Sequence, residues 1–239
     1  MPLKRWLAAL AALAGMALTL ALGAWQWDRA QQKIALHDAI EQRQRLAPIG
    51  NAEVMAAPED AQRWLHRAVE LRGQWLPQHT VFLDNRQMNG KPGFYVVTPL
   101  RLEGGEAAVL VQRGWVQRDF QQRDRLPELP APAGSVTVRG LLVPAPSKLY
   151  AFAPEEKGAI RQNLDLDAFR AETGLPLLPL SVQQAGAASE GLLREWPQPA
   201  SGAAKNYGYA FQWWALAATI AFLYVWFQIV LPRRRARAP

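Results

Sequence analysis

The stretch YGYAFQWWALAATIAFLYVWFQIVL, Tyr207 to Leu231, holds twenty-five residues without a formal charge, with Lys205 just before it and Pro232-Arg233-Arg234-Arg235 just after it. At about 1.5 Å per residue such a helix is roughly 37 Å long, enough to cross a ~30 Å hydrocarbon core with some tilt. It predicts a membrane span over residues 205–231. Tyr207, Tyr209, Trp213 and Trp214 open the run and Tyr224 and Trp226 close it, amphipathic rings of the kind that settle at headgroup level. Asn206, Tyr209 and Trp213 fall at i, i+3 and i+7 and so share the most polar face of the first turns, with Gln212 beside them.

A matching run lies near the N-terminus. Lys4 and Arg5 precede Trp6 to Trp27, which carries no charge, is rich in Ala and Leu, and closes on Trp25 and Trp27 before Asp28 and Arg29. Ala21 and Gly23 would suit a cleaved signal peptide, but the tryptophans and the full spanning length predict an anchor that stays.

Two spans place both termini on one side, and charge says which. Lys4, Arg5, Arg233, Arg234, Arg235 and Arg237 lie in tails without a single acidic residue, which predicts cytoplasmic tails over 1–5 and 232–239 and spans over 6–27 and 205–231. Of 27 basic residues, 21 remain between the spans against all 20 acidic ones, a surplus of one. The high overall pI is therefore a topology signal and predicts no nucleic-acid partner. Residues 28–204 form a translocated domain facing the periplasm or its equivalent, large enough for its own core. The absence of cysteine excludes disulfides, Fe–S clusters, thiolate zinc sites and CxxCH haem attachment.

Within this domain, Asp28 to about Gln44 continues in good helix formers with no Gly or Pro until Pro48, so the first span should extend out of the membrane. Ala47 to Asp60 reads as loop. Strand-like runs follow at Arg67–Trp75, Thr80–Asn85, Gly93–Leu102, Ala107–Val116, Ser135–Val143 and Leu177–Gln183. They are broken at Leu76-Pro77-Gln78, Met88-Asn89-Gly90-Lys91-Pro92, Glu103-Gly104-Gly105-Glu106 and Pro127 to Pro132. The spacing predicts a β-rich α+β domain, a small, mainly antiparallel sheet or barrel, between two transmembrane helices. One helix, Leu166 to about Glu172, has Asp165 as N-cap and Gly174 as stop. Ala185–Ser189 and Gln198–Ala204 read as linker.

The chain lacks GxSxG, Walker, GxGxxG and HExxH motifs, and His37, His66 and His79 are not paired with other ligand types at metal-binding spacing. Glu59-Asp60, Glu155-Glu156 and Asp165-Leu166-Asp167 read as solvated turns and caps. These absences predict a protein without catalytic residues or a metal site. Asp84-Asn85-Arg86, Arg113-Gly114-Trp115 and Arg29 each put an arginine at a strand end or at the membrane surface, where it can hold a carboxylate or cross-link loops. The structural role is the stronger expectation.

The string Leu22-Gly23-Ala24-Trp25-Gln26-Trp27-Asp28-Arg29, followed by Lys33, resembles the G-x-W-Q-x-x-R-x-x-x-K signature at the end of the first span in the Surf1 (Shy1) family. Phe82-Leu83-Asp84-Asn85-Arg86, Gly90, Gly93 and Thr98-Pro99-Leu100 resemble its N-R…G…G…T-P-L block, and Val109 to Val116 its V-x-R-G-W-V block with Arg113, Gly114 and Trp115. Gly140, Phe152-x-Pro154, the Asn163–Gly174 helix and Tyr209-Ala210-Phe211-Gln212-Trp213-Trp214 follow in family order.

The resemblance implies a multi-pass assembly factor of the bacterial inner (plasma) membrane. It would act with other assembly factors on the large subunit of haem–copper cytochrome c oxidase, assisting haem insertion or maturation. It also implies haem a as a transiently held cofactor, and in some members a histidine three residues before the YA motif is the proposed ligand. Here that place holds Asn206, a poor haem ligand beside an imidazole. The residues left to meet a haem are Asn206, Tyr209 and Trp213, with Arg29 toward its propionates. The alternative function is a structural or scaffolding subunit stably bound to a respiratory complex, its WQWDR and YAFQWW belts serving as helix-packing surfaces.

Overall fold

The first helix, α1 (Pro2–Arg45), runs without a break through the apolar segment and on into the polar stretch after it, as its helix-forming composition requires. A computed structural model describes residues 2–56, 63–119, 121–122, 126–130, 132–146, 158–197 and 201–235. The expectations for Glu59-Asp60, Phe152-x-Pro154, Glu155-Glu156 and Arg237 lie outside these residues. The chain divides into two units, Met1–Ala39 with Pro199–Pro239, and Ile40–Gln198.

The first unit is a helix pair. Its second helix, α4 (Ala203–Val225), continues through a π-helical turn at Trp226–Val230 into α5 (Leu231–Arg235). Both long helices have the length and composition to cross a membrane. They are antiparallel: Gly15 lies beside Ile220, Gly23 beside Trp214, and Gln31 beside Tyr207. The buried residues are small, Thr19, Gly23 and Ala30 on α1 and Ala203, Ala210 and Ala217 on α4, the last three at seven-residue spacing. Small side chains on the facing edges let the two helix backbones approach closely. The π turn has a cause in Pro232, which has no N–H for the carbonyl of Gln228 and whose ring would press on it. Leu231 N instead donates to Trp226 O, the wide hydrogen bond of a π turn. Helix α4 starts at Ala203, so the stretch read as linker ends two residues early.

The second unit is built on a seven-stranded sheet: β1 (Ala68–Trp75), β2 (Val81–Met88), β3 (Lys91–Leu102), β4 (Ala108–Gln117), β5 (Val136–Val143), β6 (Ile160–Arg161) and β7 (Leu177–Gln184). The order is β1-β5-β7-β4-β3-β2-β6, and a further pairing of β1 with β3 closes five strands into a ring. That closure needs Gly73, because a Cβ there would run into the carbonyl of Arg101 on the facing strand. Val69, Leu71, Leu100, Leu102, Val109, Val111, Val138, Leu142, Leu180 and Val182, drawn from all five ring strands, form one core. Ala108 and Leu110, on the opposite face of β4, pack with Val81, Leu83, Leu164 and Phe169 beneath α3 (Leu166–Thr173). Burial on both faces is why the first half of β4, Ala108 to Val111, reads as a continuous apolar run.

All six predicted strands are present, and β2 and β3 join through a two-residue turn whose Asn89 (φ 52°) and Gly90 (φ 74°) both take the left-handed conformation. Asp165 caps α3 by accepting from the N–H groups of Asp167 and Ala168, and Gly174 ends it at φ 68°. Two elements depart from expectation. Within the supposed loop, Asn51–Ala56 forms the short helix α2, held by Asn51, whose side chain donates to the carbonyls of Arg72 and Glu103 and accepts from Arg72 N. The supposed linker Ala185–Ser189 is tied to the sheet through Ala185 N to Arg139 O and a pairing of Ser189 with Leu192. The sheet also contains two parallel pairs, β2 with β6 and β4 with β7.

Candidate functional site

The signature strings at the ends of the two predicted spans meet in the helix pair. Gln26 and Lys33 lie seven residues apart on α1, two turns along one face. Asn206 on α4 bridges them: its Nδ2 donates to Gln26 Oε1 at 2.7 Å, and its Oδ1 accepts from Lys33 Nζ at 2.7 Å. One residue on, Tyr207 Oη accepts from Gln31 Nε2 at 3.1 Å, and its ring meets Trp27 edge-on at 4.8 Å. Trp27 also lies 5.9 Å from Trp214, whose indole covers Gly23 so closely that a Cβ there would clash with it. The cluster thus interlocks polar contacts at the outer turns with aromatic contacts one to two turns further along α4.

The predicted site residues divide accordingly. Gly23, Gln26 and Asn206 come together, and Ala210 is buried in the seam. Trp213 is half-buried, while Tyr209 is 43% exposed and Trp25 is exposed. The buried edge of α4 runs through Ala203, Asn206, Ala210, Trp213 and Ala217, which leaves Tyr209 off it although it shares the polar face of the first turns. Arg29 is exposed and reaches Gln32 Oε1 at 3.4 Å. Lys33, quoted as the last residue of the signature, and Tyr207, read as a belt aromatic, were not placed among the site residues; the seven-residue interval from Gln26 to Lys33 already put the first on the same face as Gln26.

The motif residues of the second unit form a separate assembly on β2, β3 and β4. Asn85 takes φ 58° at a bulge between Leu83 and Arg86, a conformation asparagine tolerates, and Asp84 beside it accepts from Asn85 N and from Arg118. Arg86 is buried, donates to Gln162 O at 3.0 Å and lies 5.8 Å from the Tyr95 ring; its carbonyl accepts from Trp115 Nε1 at 2.8 Å. Burial pulls the Arg86 pKa down, opposed by Tyr95, and pushes the Tyr95 pKa up, opposed by Arg86.

A second bulge, where the β3–β4 register shifts, leaves Arg113 without an opposite residue and turns it inward. Residues 189–196 then strap across β4. Leu193 exchanges both backbone hydrogen bonds with Trp115, and Leu192 lies over Gly114, where a Cβ would come within 2.7 Å of its own. Arg194 Nε donates to Arg113 O, Glu195 accepts from Asn89, and Trp196 donates to Gln184 O and meets Tyr95 edge-on. These contacts give Arg86, Arg113, Gly114 and Trp115 cross-linking roles. Among the described residues, no group of three or more acidic or histidine side chains could hold a metal ion.

The model of the SURF1 family matches residues 13–218. The chain is 31% identical over 98 residues to the cytochrome oxidase assembly protein SHY1 of Saccharomyces cerevisiae, covering 41% of this chain and 25% of that protein. It is 28% identical over 131 residues to Surfeit locus protein 1 of Arabidopsis thaliana, covering 51% and 37% respectively. Its identity to the SURF1-like protein of Drosophila melanogaster is 24% over 240 aligned positions, covering 91% of this chain and 75% of that one. The first two matches span a quarter and just over a third of those relatives' own length.

Proposed function

Because the chain belongs to the SURF1 family, we propose that it is a membrane-anchored, non-enzymatic assembly factor for a haem–copper cytochrome c oxidase. In this reading α1 and α4 cross a bacterial plasma membrane, both termini are cytoplasmic, and the β-rich domain is periplasmic. The arginines after α4 and the tyrosine and tryptophan belts support that orientation. The partner is the large oxidase subunit, met together with other assembly factors during its maturation.

The observation that carries the reading is the Gln26–Asn206–Lys33 bridge. The signature residues Gln26 and Lys33 are tied to Asn206 across the helix pair rather than converging on a reactive group, which supports a protein that acts through the shape it presents. Trp25, Tyr209 and Phe211 remain exposed beside the cluster and supply aromatic surface for a client helix or lipid.

Haem a, which the family resemblance implies, does not fit iron ligation at position 206. Both polar ends of Asn206 are engaged by α1, an amide ligates iron poorly, and neither predicted span contains a histidine. The proposal therefore rests on docking to the large subunit.

Pulse-labelled cells expressing an affinity-tagged full chain test it. The newly made large subunit should co-purify early in the chase and leave as the oxidase matures. Retention at unit stoichiometry on the mature complex would contradict a transient factor and favour a scaffolding subunit.

A further inference from the structure

Arg113 is the largest of the fully buried side chains, 1% exposed, and its guanidinium is incompletely matched. Nη2 donates both to Pro130 O at 2.8 Å and to Glu190 Oε2 at 2.5 Å, and the group lies 4.7 Å from the Trp75 ring centre. Nε is buried and has no hydrogen-bond partner among the described residues. A second guanidinium adjoins it: Arg194 donates through Nε to Arg113 O at 2.8 Å and through Nη1 to Ala187 O at 2.6 Å, while its buried Nη2 has no partner among the described residues. Burial lowers the Arg194 pKa, Glu190 opposes that shift and Arg113 adds to it, so both guanidiniums lie in the field of the same carboxylate.

The carboxylate is itself poorly seated. A planar guanidinium matches a carboxylate best through two parallel N–H···O bonds, as Arg161 does with Glu172 at 2.8 and 2.6 Å. Glu190 meets Arg113 through Nη2 alone. It also occupies a left-handed position, φ 57°, in the two-residue turn Ser189–Leu192, followed by Gly191 at φ 74°, where Asn or Gly is the favoured residue. Its side chain is 28% exposed while that of Arg113 is 1% exposed, so the carboxylate can swing to solvent and leave the guanidinium in place.

We propose that Arg113 and Arg194 form a carboxylate-binding site in which Glu190 is the internal, displaceable ligand. The external ligand is a carboxylate, carried by a small free acid or by a polypeptide C-terminus, that takes the Glu190 position and reaches the idle N–H groups. This inference is independent of the oxidase reading, because it concerns only what the domain binds.

The test uses the full chain in nanodiscs, with thermal unfolding followed against sodium acetate, the peptide Gly-Gly-Gly and its C-terminal amide, at constant ionic strength in chloride. A tethered carboxylate competes at an effective concentration on the order of millimolar. E190Q should therefore show saturable stabilisation by acetate at a concentration roughly tenfold or more below wild type. R113K in the E190Q background should lose it, since lysine keeps the charge and lacks the fork. Tighter binding of the peptide acid than of acetate, with none by the amide, identifies a chain terminus; equal binding identifies a small acid. On wild-type protein, trypsin cleavage after Arg194 should accelerate saturably with acetate relative to chloride as the turn is released, so the test does not depend on E190Q folding. Responses identical in wild type, E190Q and the double variant, or cleavage indifferent to acetate, would overturn the site and leave Glu190 a structural ion pair.

Discussion

At Asn206 both ends of the amide are used on α1, so its role is separable by substitution into a shape part and a hydrogen-bond part. Asn206→Leu keeps the volume and removes both bonds to Gln26 and Lys33. Interhelical hydrogen bonds of this kind contribute roughly 1 kcal/mol, and a double-mutant cycle with Lys33→Met should return a coupling of about that size. Because the chain has no cysteine, a pair introduced at Gly15 and Ile220, where the helices touch, reports register directly. Asn206→Leu should lower the crosslinking yield of that pair, and an unchanged yield would show that the amide does not set register. Histidine 66 offers a pH readout in the domain. Burial lowers its pKa below the ordinary 6.5, and Arg43 adds to the shift. A depressed histidine is neutral when folded, so the stability it contributes is present above pH ~6.5 and is lost as pH falls through the lower folded value. His66→Gln should flatten the acid limb of the unfolding curve below pH ~6.5.

Among the elements, those with local causes were legible before the fold was known. Helix α3 was bounded by Asp165 and Gly174, and Asp165→Ala should cost about 1 kcal/mol in urea unfolding of the domain, because the N–H groups of Asp167 and Ala168 lose their acceptor. The β2–β3 turn was carried by Asn89-Gly90. Elements with distant causes were not legible. Helix α2 is six residues long and depends on Asn51 reaching backbone of residues 72 and 103, far along the chain. Strand β6 is two residues in a parallel pair, and ring closure depends on Gly73 lying against Arg101. On α4 the spacing placed Asn206, Tyr209 and Trp213 on one polar face. It could not tell that the seam would run through Ala203, Ala210 and Ala217, because small residues carry no periodic hydrophobic signal among Leu and Phe.

For the whole molecule, the two apolar runs, the strand-like spacing between them and the ordered motifs made the helix pair, the β-rich domain and the family readable, while the use of the motif residues emerged only in three dimensions. Gln26, Lys33 and Asn206 interlock helices, Arg113 and Trp115 hold the strap of residues 189–196 on β4, and Arg86 ties β2 to Gln162 and to the Trp115 indole. Under the proposed assembly-factor reading, loosening the α1–α4 pair should impair function even if the β-rich domain stays folded. The direct measurement is a membrane absorption spectrum with terminal oxidase activity from cells that lack this protein but still synthesise haem. The account predicts a lost or shifted haem–copper oxidase signal, restored by the wild-type gene and restored less well by Asn206→Leu. A normal spectrum with normal activity, in cells with no second copy of the gene, would contradict it.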